Sequence, residues 1–204
     1  HSIGNIYNFI ETEVFDNQFD GDNPFIELGF WPGGDRDGNP FVDAATTIKV
    51  AEALRSAAIV CYYRDVRKLT RRLTFTGVDT MIHTLEQQLY ENVFRPKESK
   101  HITSDELLQQ LFAMRELVIS QHHSLYLQRL DSLIHKVKIF GTHFAALDIR
   151  QDSRVHTKVL AQLNTELKEK GKPTIFPDNY TELSAEEKIK ILSELDTSLD
   201  PELF

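Results

Sequence analysis

The sequence predicts a mainly α-helical chain with a minor parallel sheet, about two parallel strands among long packed helices, and leaves two organisations open: a slice of an α/β barrel of the (β/α)8 type, or an α-helical protein with minor sheet. Three observations lead there. Apolar residues recur at spacings of three and four through most of the chain, the signature of helices with one buried face. Only two short segments carry strand character, Pro24 to Trp31 and Thr142 to Ile149. Each is followed within a dozen residues by a helical pattern, the βα order of parallel sheets and barrels. A closed barrel needs eight strands, so the alternative is an α-helical protein with minor sheet.

Composition sets outer limits. The 204 residues, 41% hydrophobic and 26% charged, suit one sizeable globular domain or two small ones, and we expect a single partial domain over residues 1–204. The formal charge of -8 argues against nucleic acid as a partner. The single cysteine, Cys61, forms no intramolecular disulfide, and no apolar run reaches the roughly 20 residues needed to span a bilayer. A cytoplasmic chain without membrane contact is expected. It begins at His1 without methionine, consistent with a piece of a longer protein.

Taking the elements in order, loop-like stretches rich in Gly, Pro, Asn and Asp occupy Asp16 to Pro24, Pro32 to Pro40 and Gly171 to Asn179. Ala44 to Arg72 reads as a long helix capped by Asp43, with Ile48, Ala51, Leu54, Ala58 and Cys61 on its buried face. Its basic end (Arg64, Arg67, Lys68, Arg71, Arg72) complements the negative end of the helix dipole. Capping-box spacing marks three helix starts, at Thr76 with Asp79, Thr103 with Glu106 and Ser184 with Glu187. Leu107 to Val118 and Leu127 to Val137 form two helical faces separated by a break at His122-His123, and should pack as a hairpin.

Two segments could carry chemistry. The first is Gly33-Gly34-Asp35-Arg36-Asp37-Gly38-Asn39-Pro40, a turn between a strand and a helix. Its glycines allow close backbone approach, and the carboxylates of Asp35 and Asp37 are placed to orient the Arg36 guanidinium. In a βα unit such a loop lies at the C-terminal end of a strand, where barrel active sites are built, and an arginine there suits a phosphate or carboxylate. A nucleotide-phosphate loop would end in Gly-Lys-Ser/Thr, and this one does not. Asp35, Asp37 and Asn39 imitate the opening of a calcium loop, but the glycine comes one position early and no glutamate closes it. An acidic turn that caps a helix explains the composition equally well. The second segment is Leu147-Asp148-Ile149-Arg150-Gln151-Asp152-Ser153. Strand alternation puts Phe144, Ala146, Asp148 and Arg150 on one side, so that Asp148 and Arg150 project at a barrel mouth. A buried Asp148–Arg150 ion pair is an equally good reading. The histidines show no zinc spacing and no nucleophile motif is present.

Together, Phe30-Trp31-Pro32-Gly33-Gly34-Asp35-Arg36-Asp37-Gly38-Asn39-Pro40 and Phe140-Gly141 through Leu147-Asp148-Ile149-Arg150-Gln151-Asp152-Ser153 resemble two signature segments of the phosphoenolpyruvate carboxylases, in family order. Tyr7 to Asp16 and Asn179 to Leu195 resemble the helical stretches that flank them. The resemblance implies a (β/α)8-barrel enzyme, a homotetramer requiring Mg²⁺ or Mn²⁺, that joins phosphoenolpyruvate and bicarbonate into oxaloacetate and phosphate. It implies that Arg150 contacts the substrate phosphate, that Arg36 with Gly33 and Gly34 positions phosphate or bicarbonate or else supports Arg150, and that Asp35, Asp37, Asp148 and Gln151 support the two arginines. It assigns no metal ligand to these residues. Departures are Pro32 for the usual Met, Asp152 for Glu, and Val155 where an arginine commonly precedes His156, with Arg154 displaced by one. The family's N-terminal histidine motif, metal-binding carboxylates and Gly-Arg-rich mobile loop have no counterpart here, so the chain alone is expected to be inactive. The competing expectation is a noncatalytic helical interaction or regulatory module that keeps the motifs as structural turns.

Overall fold

The computed structural model describes residues 6, 9–14 and 27–194. The chain divides into two compact units, residues 1–150 and 151–204. The expected loop at Asp16 to Pro24, and residues 24–26 of the expected first strand, lie outside the described residues. Of the stretch from Tyr7 to Asp16, Ile10–Val14 is a short π-helix.

In the first unit, β1 (Gly29–Phe30) leads into α1 (Ala44–Thr70), followed by α2 (Val78–Phe94), α3 (Ser104–Gln121), α4 (Leu127–Phe140) and β2 (Ala146–Leu147). The four helices contact one another in a ring, α1 on α2, α2 on α3, α3 on α4 and α4 back on α1. The core lies inside that ring and is built from Tyr62, Val66, Leu69, Ile82, Leu85, Leu89, Leu107, Leu111, Met114, Leu130 and Leu133, all essentially solvent-free. Each helix supplies a row at three- and four-residue spacing, and burying those rows together is what stabilises helices of these lengths. The expected pairing of α3 and α4 across the His122-His123 break is present. The break is made by left-handed backbone at His123, Ser124 and Tyr126, whose φ angles are 50°, 58° and 62°.

Helix ends follow local chemistry, with one exception. Asp43 caps α1 through its carboxylate, which accepts the Thr46 N–H at 2.7 Å. Thr103 and Glu106 form a reciprocal capping box on α3. The Thr76–Asp79 box does not form: Gly77, at φ 85°, is the cap of α2, and the Asp79 carboxylate turns to the Thr80 N–H. A glycine between the two partners lets the chain enter the helix from a left-handed conformation that places the Thr76 side chain elsewhere.

The buried face of α1 also differs from expectation. Its buried row is Thr47, Ala58, Ile59, Tyr62, Val66 and Leu69, while Ile48, Ala51 and Cys61 are exposed. Both rows have helical spacing, and the packing of α2 and α4 against the C-terminal half of α1 selects the row carrying Tyr62, Val66 and Leu69.

The two strands pair in parallel, Gly29 with Ala146 and Phe30 with Leu147, as the βα order predicted. The second is shorter than the expected Thr142 to Ile149. Gly141 (φ 52°) and Phe144 (φ 72°) are left-handed, and the N–H groups of His143 and Phe144 still bond back to Phe140 O, so residues 142–144 complete a turn after α4. Phe144 therefore stacks on Phe140, 5.4 Å between ring centres, and is not part of a strand face. Tyr62 anchors this turn to α1 by donating its hydroxyl to Gly141 O at 2.6 Å, and burial pushes that hydroxyl well above its ordinary pKa.

The second unit contains α5 (Ser153–Glu169), a 3₁₀ turn (Tyr180–Glu182) and α6 (Ala185–Glu194). Asn164 ties α5 to the following loop through Phe176 O and the Ile175 N–H. Ser184 and Glu187 form the expected capping box before α6. Leu195 lies outside the described residues. No helix among the described residues is long and apolar enough to cross a membrane.

Candidate functional site

The two motifs meet at the C-terminal ends of β1 and β2. Trp31 O accepts the N–H groups of Gly34 (2.9 Å) and Asp35 (3.2 Å), folding the chain into a tight turn directly after β1. The turn then rejoins the second motif: the Arg150 N–H donates to Gly34 O and the Arg36 N–H donates to Arg150 O, both at 2.9 Å, with Asp35 opposite Arg150 in a parallel bridge. Gly34 is buried here, and a Cβ on it would stand 2.0 Å from Asp148 O. Only glycine permits this approach. Gly33, at φ +84°, lies against α1, where a Cβ would meet Val50 Cγ2 at 2.5 Å. Both glycines are explained by close packing against neighbouring elements, Gly34 on backbone and Gly33 on the Val50 side chain.

The arginines are brought together by main chain, and their side chains have different neighbours. Arg36 is half-buried and its Nη2 donates to Thr47 Oγ1 at 3.0 Å, one turn into α1. Thr47 is itself buried, and its hydroxyl lies 2.8 Å from Gly33 O and 3.0 Å from Asp43 O, its alternative acceptors. Arg36 Nε is buried without a hydrogen-bond partner. The Asp43 carboxyl is held below its usual range, first by the Thr46 hydrogen bonds and to a lesser degree by the charge of Arg36. The guanidinium of Arg36 is thus fastened by a threonine, while Asp35 Oδ1 accepts the Asp37 N–H at 3.3 Å. Asp37 is exposed.

Arg150 is exposed, and its guanidinium carbon lies 5.9 Å from the centre of the Trp31 ring. Asp148 is exposed as well, its N–H donating to Phe30 O at 2.9 Å, so the buried Asp148–Arg150 pair is not formed. Gln151 opens the second unit, where its side-chain carbonyl accepts the Asp152 N–H at 3.0 Å. Asp152 caps α5 and chelates the guanidinium of Arg154, which lowers its pKa.

Sequence reasoning missed Trp31 and Thr47. Trp31 was legible as an aromatic at a strand end, two residues before the glycines. Thr47 was legible as a hydroxyl four residues after a helix cap, within reach of the cap carbonyl. Among the described residues, no cluster of three or more His, Cys, Asp or Glu could hold a metal ion.

The arrangement is a fixed backbone junction that presents one exposed guanidinium at the end of two parallel strands. The profile of the family described as phosphoenolpyruvate carboxylase matches residues 5–95 and 78–200, which includes both motifs. This chain belongs to the phosphoenolpyruvate carboxylase family. Proteins named phosphoenolpyruvate carboxylase from Aeromonas hydrophila, Thermosynechococcus vestitus and Roseiflexus castenholzii are each 28% identical to it, over 68%, 85% and 83% of the chain. The chain spans 19%, 22% and 23% of those relatives, about a fifth of a phosphoenolpyruvate carboxylase.

Proposed function

We propose that this chain supplies one corner of the active site of an enzyme that carboxylates phosphoenolpyruvate with bicarbonate, and that Arg150 is its direct contribution to binding the substrate phosphate. The observation that carries this reading is the clamping of the Arg150 main chain by Gly34 O and the Arg36 N–H, with its side chain left exposed. A guanidinium so placed offers paired donors to phosphoryl oxygens, and its backbone needs no reorganisation when charge develops.

In the reaction, a bicarbonate oxygen attacks the phosphorus, the bond from phosphorus to the enol oxygen breaks, and carboxyphosphate and the pyruvate enolate result. Carboxyphosphate releases CO₂ and phosphate, and the enolate carbon attacks CO₂ to give oxaloacetate. Arg150 would neutralise the phosphoryl oxygens during transfer. Arg36 acts one step back: its N–H holds Arg150 O, and its side chain locks the loop onto α1 through Thr47. Gly33 and Gly34 allow the backbone approach, and Asp35, Asp37, Asp148 and Gln151 shape the surroundings of the two arginines. The described residues do not fit the Mg²⁺ or Mn²⁺ that the family resemblance implies, so the cation is assigned to other parts of the parent and no step is routed through it here.

On this reading, β1 and β2 are neighbouring strands of a (β/α)8 barrel, residues 1–204 form one partial domain of it, and the parent is a cytoplasmic homotetramer. The noncatalytic module is favoured by a single observation, that Gly33, Gly34 and Arg36 all have structural employment. An assay of oxaloacetate formation separates the two: the full-length parent turns over phosphoenolpyruvate and bicarbonate while the 204-residue chain does not. A parent without turnover would favour the module.

A further inference from the structure

We propose that a cavity between α1 and α4, far along α1 from the glycine-rich loop, binds a small doubly charged anion through Lys68, Arg129 and Lys136. The cavity has a volume of about 260 Å³ and a floor of Leu69 and Leu133. Its polar lining is rich in donors: two lysines, one arginine, the Gln128 amide and the Ser132 hydroxyl surround a single carboxylate, Asp65. Asp65 is shared by Lys136 (2.8 Å) and Lys68 (3.1 Å), and the side chain of Lys136 is only 16% exposed.

One carboxylate between two ammonium groups leaves one positive charge unmatched. Arg129 is exposed and meets no acid among the described residues, which adds a second. A twofold positive excess in a chain of net charge -8 is a local inversion of the overall field, and a cleft with a low-dielectric wall concentrates that field. The size and charge fit inorganic phosphate, the head of a phosphate monoester, or a short dicarboxylate, which share two negative charges within a few ångströms. Asp65 holds Lys136 and Lys68 in place when the cavity is empty. Burial pushes its carboxyl upward, but the hydrogen bonds and charges of the two lysines outweigh this and hold it below the usual range. It stays ionised and competes with any incoming anion.

The test is calorimetric titration of the 204-residue chain at low ionic strength with inorganic phosphate and, separately, with succinate. Saturable binding of at least one is expected, and whichever binds more tightly identifies the class. Arg129→Gln and Lys68→Gln, both at exposed positions, should each weaken binding about fivefold, the value of one solvent-exposed charge contact. Asp65→Asn should tighten it, and the heat that depends on Arg129 and Lys68 should persist in Arg150→Ala. No saturable heat at tens of millimolar, or binding that follows Arg150 and ignores Arg129 and Lys68, would overturn the assignment. That second outcome leaves the reading of Arg150 intact, and failure of the Arg150 reading leaves this cavity untouched.

Discussion

The hydroxyl of Thr47 carries more of the first motif than its size suggests, because it accepts from Arg36 and can donate to Gly33 O. Thr47→Val keeps the shape and removes the bond. Leaving a part-buried guanidinium and a carbonyl unmatched should cost about 1–3 kcal/mol, measurable as a lower denaturation midpoint of the chain. Gly34→Ala is more severe. With a Cβ 2.0 Å from Asp148 O, the junction between the turn and β2 has to open, so exchange protection of the Arg36 and Arg150 amide hydrogens should be lost while the helices keep theirs. Unchanged protection would contradict the close approach described here. Arg36 illustrates where the sequence was ambiguous. Its neighbours Asp35 and Asp37 are the obvious partners on paper, but a side chain following a tight turn points toward the next helix, and only the fold says which hydroxyl waits there.

At the scale of elements, caps were readable and strand lengths were not. The box at Thr103 and Glu106 forms because nothing between them prevents helical backbone, and Thr103→Ala should destabilise the bundle by about 1 kcal/mol. The corresponding change at Thr76 should be silent, since Gly77 holds the cap of α2. Thermal melts of the two variants compare these directly. The second strand read as eight residues and has two, because Gly141 and Phe144 take left-handed backbone and extend the turn after α4. Phe144 is the informative residue: its apolar character fits a strand face and equally a stack on Phe140, and periodicity does not separate the two. On α1, Ile48, Ala51 and Cys61 had the right spacing for burial and are exposed, since a neighbouring row with bulkier members was the better core.

For the molecule as a whole, the ring of α1 to α4 is the stable platform, and the junction of the motifs stands at its edge. The ion triad Asp65, Lys68 and Lys136 staples α1 to α4 across that platform. The Asp65 carboxyl is lower in the folded chain than in the unfolded one, so its contribution is complete above the ordinary aspartate range and is lost as pH falls through and below about 4. Asp65→Asn should flatten that part of the pH profile by lowering stability at neutral pH, with little change at the acid end where the carboxyl is already protonated. The helical class and the parallel pairing of two strands were legible because periodicity and βα order are whole-chain properties. The proposed division of labour between the two arginines was not, because it depends on which one the helix α1 captures. That division is the central claim, and it is tested by steady-state kinetics of the full-length parent carrying Arg150→Ala beside Thr47→Val. Arg150→Ala is predicted to lower kcat/KM for oxaloacetate formation by roughly 10²–10³, with the Thr47 variant much closer to the parent. A parent that carboxylates phosphoenolpyruvate undiminished without Arg150 would contradict it.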